Sequence, residues 1–213
     1  MKRILNEIAM CIVEMDEIRI EECVKEAIEE NIPVEDIYMN GLNEGMKRVV
    51  QLYEEGKYYV PETIVCADTL YKGINVLKQS TTVEIKKKGK VLIAVVKGDT
   101  HDIGKNIVAI MLEAAGYEVI DLGYNVELDF IIEKAIEEKV DIIALSSMMT
   151  TTMKGMKPLI KKIKNRKLEK RPLVIIGGAP VSKRYADEIN ADGYSENAPE
   201  AVSLVNKLLS EVM

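Results

Sequence analysis

The chain has 213 residues, a formal net charge of −6 and an apolar share of 47%. Charged residues make up 30% of it, and no apolar run reaches the roughly 18 residues of a membrane span, which excludes a membrane partner and indicates a globular protein. The acidic balance, without a domain-wide basic face, argues against nucleic acid as a partner.

The N-terminal segment does not read as a secretory signal, because Glu7 and Glu14 interrupt the region that would have to be apolar. Cys11, Cys23 and Cys66 form an odd set without a CxxC pair, which argues against a disulfide framework and against a sulfur-rich metal cluster. We therefore expect a cytoplasmic protein whose cysteines are small buried residues.

From residue 3 to about 80, apolar residues recur at spacings of three and four, which is typical of helices that bury one face. Pro33 and Pro61 suit the first turns of two of these helices, and Gly56 suits a helix end. Four short-looped helices predict a bundle, here a helical domain over residues 1–88. The expected helices cover 3–13, 17–31, 33–55 and 61–79.

The stretch 80–90 contains Lys86, Lys87, Lys88 and Lys90, and we interpret it as a solvated linker. Beyond it, short apolar runs alternate with amphipathic segments of about a dozen residues, as in a parallel sheet covered by helices on both faces. The sequence thus predicts a flavodoxin-like, doubly wound α/β domain over 89–213. Its five strands are expected at 91–96, 117–122, 142–146, 173–177 and, more weakly, 191–194.

The loop after the first strand holds the only histidine, His101, between Asp99 and Asp102. A lone histidine is often structural, but this one lies at the carboxyl end of a strand, where doubly wound sheets bind ligands. Asp99 can accept the second ring N–H of a metal-ligating histidine. One histidine is too little for a bare zinc or copper ion, so a metal here would bring its own equatorial ligands, as in haem or a corrinoid.

Asp99, His101 and Gly104 resemble the Asp-x-His-x-x-Gly motif of cobalamin-binding domains. The segment 145–153 resembles the family's Ser-x-Leu segment, with Met148 in place of leucine, and 176–180 resembles its Gly-Gly turn. The resemblance extends over the helical half, where 44–46 and 55–62 are similar to the helical cap of methionine synthase and of the small corrinoid proteins of anaerobic methyltransferase systems. At Met39, methionine synthase has a glutamate that faces the cofactor, so that contact is not expected here.

The resemblance implies that His101 is the lower axial ligand of cobalt, tuned by Asp99 and by the hydroxyl of Thr152. The nucleotide tail of the cofactor would enter a slot walled by Gly123, Gly177 and Gly178, with its base bonded to Ser146 and Thr150. Further cofactor contacts are implied for Gly98, Thr100, Asp102, Ile103, Gly104, Met148 and Ala198.

Above the cobalt, the resemblance implies an apolar lid from the helical domain, with contributions from Tyr53, Tyr59 and Val60. Such a lid would shield a methyl–cobalt bond from water and light. It would also have to move aside for partner proteins, with the 80–90 linker as the hinge.

The implied function is a corrinoid methyl carrier: Co(I) of bound cobalamin accepts a methyl group from a substrate methyltransferase, and methylcobalamin, as methyl-Co(III), delivers it to a second methyltransferase. That second enzyme would pass the group to tetrahydrofolate or a thiol coenzyme, and a reductive activator would rescue oxidised cobalt. Carriers of this kind serve methylamines, methanol, aryl methyl ethers and betaines, which leaves the donor open. The alternatives are the cobalamin subunit of an adenosylcobalamin-dependent mutase, which normally lacks the helical cap, and a cobalamin-dependent sensor, which would need an effector domain.

Overall fold

The computed structural model describes residues 2–80 and 87–211, and the chain divides into two compact units. One unit runs to residue 87 and also includes Ala114–Gly116, and the other contains the remainder. Most of the predicted hinge, including Lys86, lies outside the described residues.

The first unit is helical. Its third predicted helix, 33–55, is not uniform, because a π-helical segment interrupts it and Pro33 stands just before its first turn. The other three predicted helices are present, each with slightly different ends. The elements are α1 (Lys2–Val13), α2 (Arg19–Glu29), α3 (Val34–Asp36), the π segment Ile37–Leu42, α4 (Asn43–Glu54) and α5 (Val60–Ser80).

The helical unit is held together by the apolar faces of α1, α2, α4 and α5, which pack on one another as a bundle. Gly45 shows how tight the packing is: a Cβ there would lie 2.7 Å from the carbonyl oxygen of Ala9, so α4 can approach α1 only with glycine at this position. Cys11, Cys23 and Cys66 are buried and free, as expected. None of the helices in the described part of the chain is both long and apolar enough to cross a bilayer.

The second unit contains a five-stranded, all-parallel sheet in the order β2-β1-β3-β4-β5, which confirms the predicted flavodoxin-like fold. The second and fifth strands are shorter than expected. The strands are β1 (Lys90–Val95), β2 (Glu118–Asp121), β3 (Ile142–Ser146), β4 (Leu173–Gly177) and β5 (Gly193–Tyr194). The crossover helices and the final helix are α6 (Ile103–Ala114), α7 (Leu128–Glu137), α8 (Met156–Asn165), α9 (Lys183–Ile189) and α10 (Ala198–Ser210).

The strand order reverses between β1 and β3, which are paired directly from Val91↔Ile142 to Val95↔Ser146. In this fold the crevice for ligands opens at such a switch point, beyond the carboxyl ends of the strands. The loop that contains His101 follows β1, and the segment 147–152 follows β3. The topology therefore brings the two predicted motifs to one place.

The interpretation of the linker lysines as merely solvated is wrong for two of them. Lys87 Nζ donates to the hydroxyl of Tyr38 at 2.8 Å, within the helical unit. Lys90, in β1, forms ion pairs with Glu118 and Glu138. Lys87 therefore forms its contact within the helical unit, and Lys90 forms its ion pairs within the α/β unit.

Candidate functional site

Asp99 is the centre of the site, and its side chain is fully buried. One carboxylate oxygen, Oδ1, accepts from the backbone N of His101 at 3.2 Å and from its ring Nδ1 at 2.8 Å. The other, Oδ2, accepts from the backbone N of Met148 at 2.7 Å and from the hydroxyls of Thr152 and Ser147 at 2.8 and 3.0 Å. Both oxygens are thus fully engaged before any ligand is considered.

These bonds decide the charge of Asp99. Burial alone would raise the pKa of the carboxyl, because a charge is costly away from water. The hydrogen bonds from His101, Met148 and Thr152 outweigh burial, and the net effect lowers the pKa of Asp99 below its ordinary value. Asp99 is therefore a carboxylate at any physiological pH.

The carboxylate in turn orients His101. Because Asp99 is ionised, Nδ1 must provide the proton of this hydrogen bond, and in the neutral imidazole Nε2 is then the unprotonated ring nitrogen. The side chain of His101 is 57% exposed. The site therefore presents one basic nitrogen outward, fixed in direction by a buried anion.

Ser147 is a member of this network that the sequence analysis missed. Its hydroxyl lies 2.8 Å from that of Thr152, and both hydroxyls also reach the carbonyl oxygen of Met149. Sequence reasoning singled out the neighbouring Ser146 instead. The available signal was strand alternation, because consecutive residues at the end of β3 point to opposite faces.

Two of the predicted tail-slot residues, Ser146 and Gly177, are paired at the carboxyl ends of β3 and β4. Within the described residues, no hydrogen bond engages the hydroxyls of Ser146 or Thr150. At Gly123, after β2, a Cβ would meet no atom within 4 Å, so this side of the turn is open. Ala198 is buried at the first residue of α10.

Gly178 has a reason for being glycine that does not involve a ligand. Its φ is +110°, and a Cβ there would lie 2.0 Å from the carbonyl oxygen of Ser147. Any side chain would displace the backbone of Ser147, whose hydroxyl donates to Asp99. The Gly-Gly turn after β4 therefore supports the Asp99 network directly.

Three apolar side chains in or next to the segments that follow β1, β2 and β3 are exposed. Ile103, Tyr124 and Met148 are 66%, 55% and 45% exposed, respectively. Each is close in sequence to a residue that contacts the His101 loop: Met148 N bonds Asp99, and Asn125, next to Tyr124, accepts from Gly98 N at 2.8 Å. The remaining predicted contacts in this loop, Thr100, Asp102 and Gly104, are exposed or half-buried.

The three predicted lid residues lie in the helical unit. Tyr53 is half-buried on α4, Tyr59 is 65% exposed just before α5, and Val60 is the first residue of α5. Their part in a lid stays a prediction.

The donor set defines the class of group that the site can hold. Across residues 2–80 and 87–211 no cluster of three or more His, Cys, Asp or Glu side chains could hold a metal ion. A single outward imidazole nitrogen beside exposed apolar side chains instead fits a metal that arrives in a flat, largely apolar macrocycle. The fold and the site thus define a flavodoxin-like domain built to bind such a cofactor.

The comparisons with known proteins agree with this class. Residues 89–203 match a family model described as a B12 binding domain, and residues 4–78 match a second model of the same description. Dimethylamine corrinoid protein 3 of Methanosarcina acetivorans is 40% identical over 207 residues, which cover 97% of each chain. The chain therefore belongs to the corrinoid proteins with B12 binding domains.

Two solved structures are similar to this chain over nearly its whole length. One is a chain of the methanol:cobalamin methyltransferase complex of Methanosarcina barkeri, with a TM-score of 0.90 at 31% identity, covering 98% of this chain and 80% of that one. The other is a cobalamin-binding protein of Desulfitobacterium hafniense, with a TM-score of 0.75 at 31% identity, covering 95% and 97%. The homologues are corrinoid components of methyltransferase systems, so the chain is a corrinoid methyl-carrier protein by family.

Proposed function

We propose that this chain binds one cobalamin with its cobalt held by Nε2 of His101, and that it carries methyl groups between two methyltransferases. The observation that carries the proposal is the hydrogen bond from Nδ1 of His101 to the buried carboxylate of Asp99. It fixes the tautomer that leaves Nε2 basic, outward and available. When bound, the cofactor supplies a nucleophilic cobalt that accepts and releases a methyl group.

The residues of the chain hold and tune this ligand. Asp99 keeps the imidazole in one orientation and makes Nε2 a stronger donor, as carboxylate partners of metal-bound histidines do. Thr152 and Ser147 share Oδ2 of Asp99, so they compete with His101 for the negative charge of the carboxylate. Stronger hydroxyl bonds to Asp99 would weaken the ligand, and weaker ones would strengthen it.

The cofactor would be seated by the two other features of the carboxyl edge. Ile103, Met148 and Tyr124 offer apolar contact to the macrocycle. The hydroxyl of Ser146, which is paired with Gly177, and that of the exposed Thr150 would bond the nucleotide base. Tyr53, Tyr59 and Val60 of the helical unit would shield the methyl group from water.

The methyl donor is proposed to be a methylamine, because the relative named above is a dimethylamine corrinoid protein. A substrate-specific methyltransferase would load the carrier, and a second one would unload it to a thiol coenzyme or tetrahydrofolate. A reductive activator would return oxidised cobalt to the active state.

The alternative of an adenosylcobalamin mutase subunit is disfavoured by the helical unit. Residues 4–78 match a B12 binding domain of their own, in addition to the α/β domain. A second domain that covers the cobalt would suit a small methyl group better than a bulky adenosyl group.

Reconstitution tests the proposal. The purified chain should bind one equivalent of cobalamin with the cofactor's own base displaced, and methyl transfer to the bound cobalamin should require the cognate methyltransferase and dimethylamine or another methylamine. In the chain loaded with methylcobalamin, Tyr59→Ala should accelerate photolysis while the affinity for cobalamin is unchanged. Binding with the cofactor's base still on the metal would refute the proposal for His101.

A further inference from the structure

A buried lysine on α6 is connected to the His101 loop through a chain of specific contacts. Lys105 is 2% exposed. Lysine is rarely buried to this extent, and a buried lysine normally has an anionic partner. Its ammonium forms an ion pair with Oδ2 of Asp121, at the end of β2. Burial of this ammonium would be costly without the carboxylate of Asp121.

The partner carboxylate holds the turn that follows β2. Oδ1 of Asp121 accepts from the backbone N of Gly123 at 2.8 Å, and Gly123 has φ of +79°. The carbonyl of Gly123 in turn accepts from the backbone N of Val95, at the end of β1. One carboxylate therefore bridges α6 and this turn.

The turn then holds the His101 loop at two points. Oδ1 of Asn125 accepts from the backbone N of Gly98 at 2.8 Å, and the backbone N of Asn125 donates to the carbonyl of Asp99 at 2.9 Å. These two bonds fix the backbone on both sides of the residue that orients His101. Asn125 itself has φ of +55°, a left-handed conformation that asparagine adopts more readily than most non-glycine residues.

We infer that Lys105 is a positioning residue for the cobalt ligand, acting through Asp121 and the 121–125 turn on the backbone of Gly98 and Asp99. In this role Lys105 contacts neither the cofactor nor His101. It sets where the Asp99 carboxylate lies, and with it the direction of Nε2. The inference rests on the proposed function of His101.

The chain offers a matched control for a purely structural role. Arg171 and Asp192 form a partly buried, bidentate ion pair at 2.8 and 2.9 Å, and Asp192 also accepts from the backbone N of Val174. This pair lies in the same unit but beside the first residues of β4, at the opposite edge of the sheet from His101. A substitution at Lys105 or at Arg171 removes one ion pair in each case, but only the Lys105–Asp121 pair is connected to the loop that contains His101.

The test compares Lys105→Met with Arg171→Met in three measurements. The first, in the cofactor-free protein, is hydrogen exchange at the amides of Gly98, Gly123 and Asn125. The second is the dissociation constant for cobalamin, and the third is the fraction of Co(II)-cobalamin with an axial nitrogen by electron paramagnetic resonance. Lys105→Met should accelerate exchange at all three amides, weaken binding roughly tenfold or more, as loss of supporting residues does, and lower the axial-nitrogen fraction. Arg171→Met should leave all three as in the parent.

Double variants distinguish the loss of the Lys105–Asp121 ion pair from the loss of the acceptor that holds the backbone N of Gly123. Lys105→Met with Asp121→Asn removes the ion pair but keeps an acceptor for Gly123 N, so it should regain most of the amide protection and of the affinity. Lys105→Met with Asp121→Leu should regain neither. If Lys105→Met does not fold, Asp121→Leu alone carries the same three predictions.

Parent-like amide exchange and affinity in Lys105→Met and Asp121→Leu, or equal losses in Arg171→Met, would overturn the inference. The amide exchange needs no cofactor, so it tests the positioning even if the parent protein binds no cobalamin. Failure of the parent to bind would count against the proposed function alone.

Discussion

Two parts of the carboxyl edge of the sheet differ in how far they are organised in the protein itself. Beside β1, every oxygen of the buried Asp99 is engaged, by His101, Met148, Ser147 and Thr152. Beside β3 and β4, the hydroxyls of Ser146 and Thr150 form no hydrogen bond with any of the described residues. The difference teaches that the direction of the His101 ring is set by the protein itself, whereas these two hydroxyls keep their hydrogen-bonding capacity.

The largest loss of unfolding free energy should come from a substitution that removes the hydrogen bonds of Asp99. Asp99→Ala leaves several buried donors without an acceptor, and we expect it to lower the free energy of unfolding by about 3 kcal/mol or more. Ser146→Ala should change that free energy by less than about 0.5 kcal/mol while weakening cobalamin binding. Urea unfolding of the cofactor-free proteins measures the first effect, and spectrophotometric titration with cobalamin measures the second. Similar stability losses in both variants would remove the distinction between the two parts.

The free energy of unfolding at acid pH should depend on the same carboxylate, Asp99. The folded pKa of Asp99 is lowered, so its contribution to stability is complete above the unfolded pKa of about 3.9 and is lost as the pH falls toward the lower folded value. The free energy of unfolding should therefore fall below about pH 4, with Asp99 contributing on the order of 2 kcal/mol. Asp99→Asn should have a shallower loss, measured by urea unfolding between pH 7 and pH 3. Equal slopes for parent and variant would show that Asp99 titrates normally.

The two hydroxyls sharpen the comparison, because they lie within hydrogen-bonding distance of each other as well as of Asp99, and each has a single proton to donate. Ser147→Ala and Thr152→Val should each cost about 1.5 kcal/mol of unfolding free energy, as lost bonds to a charged group do. Since they share partners, the double variant should depart from the sum by about 0.5 kcal/mol or more. Strict additivity in urea unfolding would mean that the hydroxyls act independently.

His101→Gly should have an effect on stability no larger than that of either hydroxyl variant, because it also removes one hydrogen bond to Asp99, but the imidazole is more than half exposed and water can take its place. We expect a loss of about 1 to 1.5 kcal/mol of unfolding free energy in the cofactor-free protein. In the cobalamin-loaded protein, the Co(II)/Co(I) reduction potential should rise, because an axial donor stabilises Co(II) over Co(I). The affinity should fall only in part, since the tail contacts remain. A potentiometric titration that gives the parent potential would show that His101 is not on the metal.

The sequence could predict the fold because its hydrophobic periods differ between the halves. The continuous apolar run at 91–96 and the spacing of three and four in 61–79 each fit one type of element. The π segment at Ile37–Leu42 could not be predicted, because its apolar pattern is also that of an ordinary helix. Its backbone depends on the packing around it.

For the site, Asp99 and His101 could be predicted because they are two residues apart in one loop. Thr152, 53 residues from Asp99, was expected only through the family resemblance, and Ser147, 48 residues away, was not expected at all, because local sequence does not encode contacts at such separations. Choosing Ser146 over Ser147 depends on the strand register, where a shift of one residue exchanges the two faces. The burial of Lys105 was also hidden, since a lysine in the first turn of a helix ordinarily has an exposed side chain.

The central claim is that Nε2 of His101 binds the cobalt, and the chain allows a direct test because it contains one histidine. The protein is prepared with and without ¹⁵N-histidine, loaded with cobalamin, reduced to Co(II), and examined by electron paramagnetic resonance. If His101 is the ligand, the axial-nitrogen splitting should change from a triplet to a doublet on labelling, since the nuclear spin changes from one to one half. A triplet that persists with the label, or the absence of any nitrogen splitting, would contradict the claim.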